Sequence, residues 1–178
     1  MKEAAVKIRL AEPRDAPVIA EMSRDHIESG LGWRYDPARV LRSVRSRETT
    51  ALIASERRTY VAGERPAPVG FAIMDFGDER AHLVLLAVRP SHRRRGIGRL
   101  LVNWLLESAR TAGMASVHLE LRADNEAARR FYRALGFSET VLVPRYYDGR
   151  EAAMRMLRVL RSPGPLPLAW RPPALGQM

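Results

Sequence analysis

Hydrophobic and polar positions along the chain follow two periods, and the change of period marks its centre. Residues 82–88, HLVLLAV, form a short apolar run without helical spacing, bounded by Arg89-Pro90, which predicts a strand buried on both faces. Ile97, Leu100, Leu101, Trp104 and Leu105 then recur at helical spacing and predict an amphipathic helix with one apolar stripe, closed by Gly113. Residues 116–122 alternate, with Val117, Leu119 and Leu121 on one face and His118, Glu120 and Arg122 on the other. A strand, a helix and a strand in this spacing predict a right-handed crossover between parallel strands.

The flanking pattern supplies the remaining elements. Residues 7–10 read as a first strand. Asp15 is placed to cap a helix with Pro17 in its first turn and Val18, Ile19 and Met22 facing inward, stopped by Gly30. The loop Gly32-Trp33-Arg34-Tyr35 carries two aromatics, which either fold back over the core or form a wall against a substrate. Asp36-Pro37 opens a second helix with Val40, Leu41 and Val44 on one face. Residues 50–55 read as a strand, interrupted by Glu56-Arg57-Arg58; residues 59–62 have strand-forming types, and the glycine and prolines of 63–68 read as a turn. Residues 69–76 form a strand whose Gly77-Asp78-Glu79 turn predicts an antiparallel hairpin with the strand from His82. Asp124 or Asn125 caps a helix carrying Ala127, Ala128, Phe131, Tyr132 and Leu135, closed by Gly136. Residues 137–147 and 151–160 are a last pair of strands joined at Asp148-Gly149. The expected organisation is one folded domain over 1–161 and a proline-rich tail, SPGPLPLAWRPPALGQM, over 162–178, disordered or loosely docked.

Composition narrows the chemistry. The 178 residues suit one domain with a sizeable core and contain no cysteine, so disulfides, thiolate metal sites and a cysteine nucleophile are excluded. The histidines, His26, His82, His92 and His118, show no metal-ligand spacing, and no metal is expected. No apolar run reaches the length of a membrane span, and MKEAAVKIRLAEP lacks the apolar core of a signal peptide, so the expectation is a cytoplasmic, soluble protein with no membrane partner. The formal net charge of +10, almost all of it arginine, points to anionic partners: nucleic acid, acidic protein or a polyphosphate.

The turn between the central strand and helix concentrates that charge. Arg93, Arg94, Arg95, Gly96, Ile97 and Gly98 stand where the first amides of the helix have no partner within it. Two glycines remove side chains and the guanidinium groups add charge, which makes an anion cradle; the competing reading is a solvated basic patch.

These residues carry a resemblance. VRPSHRRRGIGRLLVNWL is similar to the acetyl-CoA signature of the GNAT superfamily of N-acetyltransferases, in which Arg93, Gly96 and Gly98 fill the fixed positions. NEAARRFYRALGF resembles the later motif of that family. Within it, LELRADNEAARRFY and PRYYDGREAAMRM resemble protein N-terminal acetyltransferases of the ribosomal-protein-alanine type.

The resemblance implies an α/β fold: a mixed, mostly antiparallel sheet of about seven strands, splayed at a central parallel pair and flanked by about four helices. It implies that acetyl-CoA lies in the opening. The pyrophosphate would rest on Arg93, Arg94, Arg95, Gly96, Ile97 and Gly98, helped by Arg99. The pantetheine arm would pair with the backbone of Leu86, Ala87 and Val88, and Asn125 would contact it. It implies that Tyr132 protonates the departing thiolate, where the plain alternative is a buried structural tyrosine. Glu120 would serve as general base, its pKa raised by partial burial; the alternatives are a salt bridge with Arg122 or simple exposure. His118 is a candidate assistant to that base. A backbone amide near Val88 would stabilise the oxyanion, the Tyr146-Tyr147 pair would lie beside the acceptor, and transfer would be direct, because no cysteine can carry the acetyl group.

The acceptor stays open, since GLGWRYDPARV and residues 56–68 do not match that subgroup. A protein N-terminus, a lysine side chain, a small amine and an antibiotic are the candidates, and the chain would act as a monomer or a homodimer. Two other classes fit the residues less well. A basic nucleic-acid-binding module lacks a zinc pattern, a recognition helix or an aromatic-interleaved sheet motif, and has no need of glycines inside its arginine run. A non-catalytic acetyl-CoA sensor has no need of Glu120 and Tyr132.

Overall fold

The computed structural model describes residues 6–56 and 66–161. The expected strand at 59–62, most of the turn at 63–68 and the proline-rich tail fall outside these residues.

The chain forms β1 (Val6–Leu10), α1 (Ala16–His26), α2 (Pro37–Arg45), β2 (Thr49–Glu56), β3 (Pro68–Phe76), β4 (Arg80–Val88), α3 (Ile97–Thr111), β5 (Ser116–Arg122), α4 (Glu126–Arg133), β6 (Ser138–Tyr147) and β7 (Glu151–Val159). The seven strands make one sheet in the order β1-β2-β3-β4-β5-β7-β6. Only β4 and β5 run parallel, and they pair at three positions alone: Arg80 with Ser116, Ala81 with Val117 and His82 with His118. Beyond His82 the two strands separate, so the sheet opens as the resemblance implied.

Helices cover both faces. On one, α3 packs Ile97, Leu101, Leu105 and Ala109 against Leu52, Ala72, Val117 and Leu119. On the other, Ile19 and Met22 of α1 and Val40 of α2 pack against Ile53, Phe71, Ile73 and Leu85. A bulge in β4 serves both. Ile73 pairs with Leu85 and Met74 with Leu83, which leaves Val84 unmatched and reverses the alternation there. Ala81 and Leu83 therefore face α3, while Leu85 and Ala87 face α1 and α2, which is why this strand reads as apolar throughout.

Three local expectations are corrected. Leu100 and Trp104 are 49% and 40% exposed, off the buried stripe, because α3 presents the 97-101-105 row and its neighbours Val102 and Leu106 to the sheet. Asp15 does not cap α1 with its side chain; the carboxylate accepts from Arg9 at 2.6 and 2.8 Å and from the Glu12 amide at 2.7 Å, fixing the turn that leads out of β1. Helix α1 ends at His26, before Gly30, because the chain turns around buried Glu28. The other ends follow the sequence: Asp36 caps α2 by accepting from the Arg39 amide at 2.7 Å, and Asn125 caps α4 by accepting from the Ala128 amide at 3.1 Å. Helix α3 closes through Gly113 and Met114, whose amides donate to Arg110 and Ala109. Among the described residues no helix is long and apolar enough to cross a membrane.

Candidate functional site

The opening between β4 and β5 leads into two cavities. The first, of about 840 Å³, lies beside the start of α3 and is lined by Leu86, Ala87 and Val88, by Arg93, Arg94, Gly96, Ile97, Gly98 and Arg99, and by Asn125. Twelve of the thirteen expected site residues are therefore distributed over the two cavities described here. Arg95 is the exception. Its guanidinium donates to Glu56 at 2.5 Å, at the end of β2, and it does not line the cavity. His92 and Arg130 line it without having been singled out; His92 lies one residue before the arginine run, and Arg130 faces the cavity from α4.

The helix-opening turn is shaped by its backbone. Gly96 is the N-cap of α3 at φ +79°, in the left-handed region that side chains disfavour. Arg94 occupies the same region at φ 64°. Arg93 donates from Nε to the Val88 carbonyl at 3.1 Å, tying the turn back to the end of β4. Gly98 has a different role: a Cβ there would stand 3.3 Å from Cζ of Phe131, so this glycine lets α4 close on α3.

The second cavity, of about 500 Å³, lies on the α1–α2 side and is lined by Glu28, Tyr35, Asp75, His82, Glu120, Tyr132, Tyr146 and Tyr147, among others. His26, Leu86, Asn125 and Ala128 line both cavities, so the two meet at the point where the strands part. Its mouth is fastened by the turn between β6 and β7. Asp148 accepts from the Gly32 amide at 3.0 Å and from Arg34 at 2.9 Å, and Arg122 donates to the Ser29 carbonyl at 2.5 Å. Glu28 organises the same loop from below by accepting from Ser23 at 2.9 Å and from the Arg34 amide at 2.7 Å. The two loop aromatics divide: Tyr35 folds onto the core and also lines the cavity, while Trp33 is exposed with the Arg24 guanidinium 5.4 Å from its ring centre.

Glu120 departs from the sequence reading. Its side chain is 7% exposed and accepts from His82 Nε2 and from Arg155 Nε, each at 2.8 Å. Arg122, the expected partner, pairs with Glu151 at 3.2 Å instead. The hydrogen bond from His82, with that from Arg155, outweighs desolvation and lowers the carboxyl pKa to about 2, the reverse of the expected rise. A carboxylate held this way stays ionised across the neutral range. His118 stacks on His82 with ring centres 4.4 Å apart and planes within 5°. Burial lowers the His118 pKa, and the neighbouring His82 adds to that.

His82, His118 and Glu120 offer donor atoms within 4.8 Å of one another. An ion in the plane of one imidazole would lie out of the plane of the other, parallel ring, and both Glu120 oxygens already accept hydrogen bonds. Both features disfavour a metal ion shared by the three side chains as they are placed.

Tyr132 lines the second cavity and is 8% exposed, held edge-on between Phe131 and Phe137 with ring centres 5.0 and 5.5 Å away. Burial pushes its phenol pKa well up, and Tyr147 adds to the rise, so the hydroxyl keeps its proton. Burial likewise pushes Tyr147 up to about 12. The phenol and a thiol are thus less evenly matched than their free values suggest.

Comparison with known proteins agrees with this geometry. The profile of the acetyltransferase (GNAT) family matches residues 24–137. A ribosomal protein bS18-alanine N-acetyltransferase of Escherichia coli is 40% identical over 89 residues, 48% of this chain and 60% of that protein, so the chain matches little more than half the length of that curated relative. Among solved structures, Ard1 from Thermoplasma volcanium superposes with a TM-score of 0.72 at 30% identity over 89% of this chain and 99% of that one. The ribosomal-protein-S18-alanine N-acetyltransferase from Escherichia coli does so at 0.71 and 27% identity, over 90% and 97%. With the family profile covering more than half of the chain, this protein belongs to the GNAT family of acetyltransferases.

Proposed function

We propose that the chain moves the acetyl group of acetyl-CoA directly to a primary amine, and that the acceptor is a protein N-terminal α-amine. The observation that carries this reading is the meeting of the two cavities at Leu86, Asn125 and Ala128, one bounded by the basic glycine turn and the other by Glu120, Tyr132 and the tyrosine pair.

The residues fit the donor. The amides that open α3, together with Arg93, Arg94 and Arg99, bind the pyrophosphate, a role that left-handed Gly96 allows by turning the backbone toward the cavity. The free edge of β4 at Leu86, Ala87 and Val88 receives the pantetheine arm as an added strand, since this stretch has no partner on the β5 side. Asn125 orients the arm with its side-chain amide, its oxygen being used to cap α4. The bound donor supplies an activated thioester. Tyr132 holds a proton for the leaving sulfur, and the amide region of Val88 faces the developing oxyanion. Relatives named for the N-terminal alanine of a ribosomal protein support the choice of acceptor.

The test is thiol release from acetyl-CoA with a panel of peptides of differing first residue and a matched set of small amines, the products read by mass spectrometry. Acetylation of peptide α-amines is expected, with peptides beginning in alanine among the best. Acetylation of small amines alone overturns the acceptor assignment; no amine-dependent release from any of the panel overturns the reaction.

A further inference from the structure

Building on that acetyl-transfer reading, we propose that His82, held by Glu120, is the base that takes the proton from the acceptor ammonium, and that Glu120 is a positioning residue rather than the base itself.

The geometry assigns the roles. His82 is the last residue of β4 still paired with β5, so its ring stands where the strands part. It lines the acceptor cavity and its side chain is 35% exposed, whereas Glu120 is 7% exposed behind it. Both Glu120 oxygens are engaged, one by His82 Nε2 and the other by Arg155. A carboxylate that accepts from Nε2–H fixes the tautomer in which Nδ1 carries the lone pair. Among the described residues Nδ1 has no hydrogen-bond partner, so it is available to an ammonium or to a bridging water. Arg155 keeps the carboxylate ionised, and the ionised carboxylate stabilises the imidazolium once it forms, as an orienting acid does beside a catalytic histidine. The stacked His118 resists protonation, so it adds no second positive charge beside that imidazolium.

The proton and electron movements balance. The acceptor ammonium gives one proton to His82 Nδ1. The freed lone pair forms the C–N bond at the thioester carbonyl carbon, and the carbonyl π electrons move to oxygen. On collapse the C–S bond breaks, its electron pair leaves with sulfur, and the Tyr132 hydroxyl proton passes to that sulfur. The second amine proton returns to Tyr132, and His82 releases its own proton to solvent through its exposed edge. The groups that face His82 and tune this step are His26 at the end of α1, Asp75 opposite it on β3, His118 and Glu120 on β5, Tyr146 on β6 and Arg155 on β7.

The test is the pH dependence of peptide acetylation by the full chain and two sets of variants, each first checked for acetyl-CoA binding by calorimetry. His82→Gln keeps an amide able to donate to Glu120 but has no basic nitrogen. It is expected to bind acetyl-CoA as the wild type does, to lose about 100-fold in kcat, and to have a pH profile of kcat/KM that differs from the wild type's. His82→Gly is expected to regain activity with added imidazole, in a saturable way that a structural role would not produce. Glu120→Gln is expected to lose less, about tenfold in kcat, and to change the pH profile less than His82→Gln does. A His82→Gln variant with wild-type turnover and pH profile overturns the proposal, as does failure of imidazole to rescue a His82→Gly variant that still binds acetyl-CoA. Absence of peptide acetylation by the wild type would instead overturn the functional reading on which the proposal rests.

Discussion

Glu56 holds Arg95 at 2.5 Å at the end of β2, and so takes one guanidinium out of a run of three. The guanidinium groups that line the first cavity are those of Arg93, Arg94, Arg99 and Arg130. Arg95→Ala is therefore expected to leave acetyl-CoA affinity within about twofold of wild type. Arg94→Ala is expected to weaken it about fivefold to tenfold, the loss of one partly exposed charge-assisted hydrogen bond, about 1 kcal/mol. Calorimetric titration of both variants with acetyl-CoA checks the contrast.

The two glycines of the same turn act through different atoms. Gly96→Ala forces a side chain into the left-handed region, which costs about 1 kcal/mol of stability with no neighbour involved. Gly98→Ala pushes instead against Phe131, 3.3 Å away, and disturbs the meeting of α3 with α4. Phe131→Leu should recover a good part of what Gly98→Ala loses in acetyl-CoA affinity and none of what Gly96→Ala loses. Binding measurements on the two double variants read this coupling directly.

Tyr132 separates packing from chemistry. Its rings and neighbours account for its burial, and among the described residues its hydroxyl makes no hydrogen bond. Tyr132→Phe should therefore change stability by less than about 0.5 kcal/mol, retain acetyl-CoA binding, and reduce kcat by about 100-fold. Thermal unfolding, calorimetry and turnover on one variant check all three; unchanged turnover would remove the hydroxyl from the reaction.

Acid should act on the Glu120 cluster. The folded carboxyl has a pKa of about 2 against an ordinary 4.5, so its interactions stabilise the fold fully above 4.5 and are lost as pH falls toward 2. Solvent screening at Arg155, which is 44% exposed, reduces the contribution to about 1–2 kcal/mol. Between pH 4.5 and pH 2 the urea midpoint of the wild type should fall more steeply than that of Glu120→Gln, the two curves converging at the acid end. Parallel curves across that window would mean that the cluster contributes nothing to folding.

The helix and strand periods were readable because each element buries one face: residues 97–111 and 116–122 stand where their spacing put them. Spacing could not decide which of two adjacent apolar rows of α3 meets the sheet. Leu100 and Trp104 repeat as regularly as Ile97, Leu101 and Leu105, and only the positions of β3 and β5 exclude them. Most of the residues grouped around the first cavity were legible as a group because 86–88 and 93–99 are near one another in sequence. The surroundings of Glu120 were not, because Arg155 reaches it only once β7 inserts between β5 and β6, and His82 only through the short parallel pairing. Local sequence contains neither event. The pairing of Arg95 with Glu56 was hidden for the same reason, since Glu56 lies on a strand two places away in the sheet.

Three residue pairs are all that join β4 to β5, and that seam has a mechanical meaning. It divides the sheet into a raft of four strands and a raft of three, with α3 spanning the gap as a tie-beam whose buried side chains reach both. On the proposed reading, a ligand threading the seam would hydrogen-bond to the raft of four along β4 and so stiffen the molecule. Amide exchange at those N–H groups of residues 83–88 that point into the seam, and not at those bonded to β3, thus becomes a gauge of occupancy: fast in the empty protein and slow in the loaded one.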